Sequence, residues 1–134
     1  MKALWITLAC CLSLPALAET DHPLLPGYAV QARQQDPGFA GFSAERGKAL
    51  YFAEEQRDGK TISCTSCHTD DPRKPGKTPA HRNVDPLAPA ANPERFTDLK
   101  KVEKWFRRNC DDVFARECTA QEKGDFITWV TGLK

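Results

Sequence analysis

The chain has 134 residues, with 19 Lys and Arg against 18 Asp and Glu, six cysteines and one methionine. Near neutrality at the size of about one domain excludes a strongly basic nucleic-acid binder. The only long apolar run is N-terminal and a polar chain follows it, which excludes a membrane-spanning protein.

Residues 1–18 read as a cleaved signal peptide. Met1 and Lys2 give a positive start, Ala3 to Leu14 are largely apolar, and Ala16-Leu17-Ala18 fits the small-x-small cleavage rule. Acylation at Cys10 or Cys11 is the rival reading, but cutting there leaves too short an apolar region before it. The mature chain is then Glu19 to Lys134, 116 residues with no net charge, four cysteines and no methionine. Only 40% of the sequence is apolar, below the usual level of about 45–50%. A prosthetic group or a disulfide would strengthen so thin a core, and exported proteins keep disulfides.

Residues 19–41 carry Pro23, Pro26, Gly27, Pro37, Gly38 and Gly41 and predict an irregular arm, with one or two helical turns possible over Ala29 to Gln35. Residues 42–134 form the main domain. Its first helix starts at the N-cap Ser43 and runs to about Gln56, before Asp58-Gly59. Residues 69–93 hold six of the ten prolines and predict a long loop, of the kind that wrapping a cofactor would order.

Thr97 or Asp98 caps the next helix, where Leu99, Val102, Trp105, Phe106, Cys110 and Val113 recur at helical spacing. Lys100, Lys101, Lys104, Arg107 and Arg108 take the opposite face. Asn109 is the exception, a polar residue near the middle of the apolar arc. The last helix opens on the capping box Thr119-Ala120-Gln121-Glu122 and turns Phe126, Ile127, Val130 and Leu133 inward, with Trp129 beside them. With few strand signals, the predicted fold class is small and all-α.

Cys64-Thr65-Ser66-Cys67-His68 is the attachment pattern for one covalent haem c. Two cysteines one helical turn apart reach two vinyl groups as thioethers, and the next residue presents its imidazole to the iron. The competing readings are a redox dithiol, a structural disulfide, or a zinc site completed by His22 or His81. The dithiol lacks a strand-to-helix context and leaves His68 unexplained. A single motif on this scale predicts a class I cytochrome c fold around one haem. Gly47 with Tyr51 resembles the N-terminal helix of that class, whose glycine admits the C-terminal helix, with Phe126 and Trp129 as aromatic partners.

Electron-transfer cytochromes of this class usually complete the iron with a methionine, and the mature chain has none. The sixth position is then empty, or filled by His22, His81, a lysine or a less usual group. Asn109 has the strongest claim. Buried without a partner, its carboxamide would cost about 1–3 kcal/mol; a backbone carbonyl or the iron would satisfy it.

The chain resembles the SHP-type cytochromes, an oxygen-binding group of class I cytochromes c. The resemblance rests on Pro86-Leu87-Ala88-Pro89, Arg95-Phe96-Thr97-Asp98, Val102-Glu103-Lys104-Trp105, Arg108-Asn109-Cys110 and Arg116-Glu117-Cys118-Thr119, with the haem motif. It covers roughly residues 42–130 and implies several roles. Asn109 is the distal ligand of ferric iron and leaves on reduction, opening a site for O2, NO or CO. Cys110 and Cys118 form a disulfide. Pro86 and Leu87 belong to the segment whose proline carbonyl accepts the Nδ1–H of the proximal His68. The electron donor is a dihaem cytochrome c, linked in turn to a membrane cytochrome b.

The expected protein is therefore a periplasmic monohaem cytochrome that transfers electrons and binds a diatomic gas when reduced. Two rivals stay open at this level: a small haem oxidase or reductase of O2, peroxide or nitrogen oxides, and a plain bis-histidine carrier using His22 or His81.

Overall fold

The helix expected from Ser43 forms as α2 (Ala44–Phe52), its N-terminus capped by Ser43 Oγ, which accepts from Arg46 N. In the computed structural model, which describes residues 21–134, α2 ends at Phe52 instead of about Gln56. The reason lies in the next turn. Asp58 and Gly59 both have positive φ, 51° and 73°, as a two-residue type I′ hairpin requires. They join β1 (Glu55–Arg57) to β2 (Lys60–Ile62), with Arg57 opposite Lys60.

Residues 19–41 were expected to be irregular, and here the structure differs. Leu25–Gln35 form an 11-residue helix, α1. Pro26 falls in its first turn, where a missing N–H costs no hydrogen bond. Leu25, Tyr28 and Ala32 are buried against Val102, Ala120 and Ile127 of the two later helices, so α1 is part of the core. The signal-peptide expectation for residues 1–18 lies outside the described residues.

The later helices are α4 (Leu99–Phe114), capped by Asp98, and α5 (Ala120–Thr131), which opens on the full Thr119/Glu122 capping box. A Cβ on Gly47 of α2 would collide with the backbone carbonyl of Asp125 on α5, so glycine is what lets these helices cross in contact. Tyr51 of α2 then packs on Trp129 at 4.9 Å. Asp125, buried at the crossing, accepts from Ser43 N at 2.7 Å and from the Arg46 fork at 2.7 and 2.9 Å. Both carboxylate oxygens thus accept hydrogen bonds, and the buried charge is paired.

The proline-rich stretch is an ordered loop. It holds a small ribbon, β3 (Gly76–Lys77) against β4 (Asn83–Val84), and Pro72 O accepts from both Leu87 N and Ala88 N at 2.8 and 2.9 Å. The strands are short ribbons at the edge of a helical body, and the fold class is all-α. Among the described residues no helix is long and apolar enough to cross a membrane.

Candidate functional site

The haem motif sits on a four-residue helix, α3 (Thr65–His68), preceded by Cys64 at its N-cap. His68 N donates to Cys64 O at 3.1 Å, and Thr69 leaves the helix with φ of 64°. Tyr51 Oη donates to Thr69 O at 2.6 Å, fixing the exit of α3 to the α2/α5 crossing. On its other side β3 comes so close that a Cβ on Gly76 would strike the carbonyl of Cys67. The loop and the helix pair therefore hold the motif from two directions.

Cys64, Cys67 and His68 open into a cavity of about 470 Å³, a size typical of sites for small molecules and cofactors. Its walls are largely apolar and aromatic: Leu50 of α2, Leu87 and Phe96 of the loop, Phe106 of α4 and Phe126 of α5. The arc of α4 predicted to be apolar faces the core and this cavity from Val102 onward, while Leu99 at its start is exposed. Val102, Cys110 and Val113 are buried, whereas Trp105, at 47% exposed, lies on the cavity wall with Lys104 and Arg108 over its ring.

Asn109 lines the same cavity. It is half-buried, and its carboxamide makes no hydrogen bond to any described residue, a backbone carbonyl included. Next to it, Cys110 is joined to Cys118 by a disulfide with a Cα–Cα distance of 5.7 Å, tying the end of α4 to the start of α5.

The two other histidines of the described chain are elsewhere. His22 Nδ1 accepts from Leu24 N at 3.3 Å and its ring stands edge-on to Phe96. His81 is exposed near the tip of the β3–β4 ribbon. Neither lines the cavity.

The electrostatics favour a ligand role for His68. Burial, with the nearby Arg95 charge, pushes its imidazole down to about 4, so it is neutral at physiological pH and its nitrogen lone pair is free. Burial pushes the Cys64 thiol up to about 11, and Cys67 also lies above its ordinary value, again chiefly through burial. Redox-active dithiols need the opposite shift. Among the described residues no cluster of three or more His, Cys, Asp or Glu is placed to hold a bare metal ion.

Leu87 lines the cavity as expected of its segment. Pro86 O has a more particular environment: it accepts from Arg95 Nε at 2.9 Å and Asn92 Nδ2 at 3.4 Å, and no bond from His68 is present among the described residues. Arg95 also lines the cavity. Its role was not visible in the sequence, because its partners are main-chain carbonyls, which carry no residue signature.

The family model described as a domain of unknown function, DUF1924, matches residues 37–130. The cytochrome c-type protein SHP of Cereibacter sphaeroides is 43% identical over 130 residues, spanning 94% of this chain and 95% of that protein. The chain belongs to the SHP-type cytochromes c. Cytochrome c'' of Methylophilus methylotrophus is a further relative, 34% identical over 122 residues, or 88% of this chain and 85% of that one. The fold agrees with both. Oxidised SHP, described as an oxygen-binding cytochrome c, matches with a TM-score of 0.73 at 40% identity, over 82% of this chain and 94% of that structure. Oxidised cytochrome c'' matches with a TM-score of 0.75 at 33% identity, over 83% and 92%.

The cofactor of this family is haem c, and the site fits it. Two thiols and a neutral imidazole enter one largely apolar cavity from a single helical turn, and a carboxamide with no hydrogen-bond partner among the described residues lines another wall.

Proposed function

We propose that the protein is a periplasmic monohaem cytochrome that transfers electrons and, in its reduced state, binds O2, NO or CO at the position Asn109 gives up. Cys64 and Cys67 supply the thioether sulfurs, and His68 the proximal nitrogen. Bound there, haem c supplies a one-electron iron couple and a coordination position for a diatomic gas. Leu87 supports the proximal side through the cavity wall, and Pro86, whose carbonyl is held by Arg95 and Asn92, fixes the course of the same segment.

One observation carries this reading: Asn109 lines the haem cavity with no hydrogen-bond partner among the described residues. A neutral carboxamide is a weak ligand, better matched to the harder ferric ion than to ferrous iron. Asn109 therefore holds the sixth position in the oxidised protein and lets go on reduction. Two relatives support the idea: SHP is described as oxygen-binding, and the solution structure of cytochrome c'' is described for haem-ligand detachment. The electron donor is a dihaem cytochrome c, itself served by a membrane cytochrome b, and the basic outer face of α4 receives it.

Optical spectra of two variants test the ligand. Asn109→Ala is expected to keep covalent haem and change the ferric spectrum, while His81→Ala leaves it as in the wild type. A ferric spectrum altered by His81→Ala and untouched by Asn109→Ala would replace this account with the bis-histidine carrier.

A further inference from the structure

Arg95 stands between the loop after β4 and the haem motif. Its Nε donates to Pro86 O at 2.9 Å and its Nη2 to Asp85 O at 2.8 Å. One planar guanidinium thus gathers two consecutive carbonyls, the geometry for which arginine is suited and lysine is not. The group is partly buried, lines the cavity that His68 and Leu87 also line, and forms none of the side-chain ion pairs among the described residues. A positive charge is therefore held beside the imidazole by two neutral carbonyls, with the Asp85 carboxylate near enough to offset it in part.

We propose that Arg95 is a positioning residue that clamps the Asp85-Pro86-Leu87 segment beside His68 and raises the reduction potential of the haem. The inference rests on the assignment of His68 as the axial ligand. Two effects act in the same direction. A fixed cation near the iron disfavours the more positive ferric state, and does so more strongly the more apolar its surroundings. A Pro86 carbonyl already engaged by a guanidinium is also a poorer acceptor for the His68 N–H, and a less strongly hydrogen-bonded imidazole donates less charge to its metal. Since reduction is the event that frees Asn109, Arg95 sets how readily the gas-binding state is reached.

The test uses the full haem-loaded protein with Arg95→Gln and Arg95→Lys. Reduction potential is read by spectroelectrochemistry, and the iron–histidine stretch of the ferrous protein by resonance Raman. Arg95→Gln should lower the potential and raise the stretching frequency. Arg95→Lys keeps the charge but loses the fork, so it should restore part of the potential while its stretching frequency stays near that of Arg95→Gln. An unchanged potential in Arg95→Gln, or a lysine variant that falls as far as glutamine, overturns the proposal. The wild type separates the two layers. No iron–histidine band in its ferrous form would remove the reading of a five-coordinate ferrous haem held by His68 alone, whereas a normal band with a potential indifferent to Arg95 removes only the role given to Arg95.

Discussion

Glu103 shows how single side chains hold the helix that carries Asn109. Tyr28 Oη of α1 donates to one carboxylate oxygen, and Lys123 Nζ of α5 donates to the other at 2.8 Å. Burial alone would raise this carboxyl, yet the bonds from Lys123 and Tyr28 hold it below its ordinary value of 4.5. A folded value below the unfolded one adds stability above 4.5, which is lost as pH falls through the folded value. Glu103→Gln is expected to cost about 0.5–1 kcal/mol at neutral pH, the range of a pair partly screened by solvent. Urea unfolding at about pH 7 and about pH 3 checks it: the difference from wild type should shrink in acid, and a difference that persists there would contradict the assignment. At this scale the sequence was most informative where chemistry is written in residue type. Cys64, Cys67 and His68 announce themselves by spacing, and Asn109 by standing on an apolar arc. Arg95 and Glu103 do not, because their partners lie on distant elements or on the main chain.

Among the elements, α4 and α5 were legible because their ends carry caps and their faces are sharply divided. Both N-caps, Asp98 and Thr119, form as the sequence implies. Helix α1 was anticipated only as one or two turns over Ala29 to Gln35, because Pro26 and Gly27 read as breakers, although Leu25, Tyr28 and Ala32 already stand at i, i+3 and i+7. Asp58-Gly59 was read as a helix stop when it is also a strong hairpin signal. The loop over 69–93 was found by its prolines, but the β3–β4 ribbon depends on the close approach of Gly76 to α3, a tertiary contact that no local pattern records.

For the whole molecule, the basic face and the cavity meet along α4. Lys100, Lys101, Lys104, Arg107 and Arg108 form none of the side-chain ion pairs among the described residues, and Lys104 and Arg108 lie 5.7 and 5.3 Å from the ring of Trp105, which also reaches the cavity. Free cations around a half-exposed aromatic suit an acidic redox partner. Reduction by an acidic cytochrome donor should slow steeply as ionic strength rises, and Lys104→Glu with Arg108→Glu should slow it at low salt while the haem spectra stay as in the wild type. A rate indifferent to both would make this an ordinary solvated face.

The central claim is that one side chain closes the iron in the oxidised protein and opens it in the reduced one. Optical spectra of the ferric, ferrous and CO-treated wild type test this most directly. The account predicts a six-coordinate ferric form and a high-spin ferrous form that takes up CO readily, because Asn109 has already left. A low-spin ferrous protein inert to CO would contradict it.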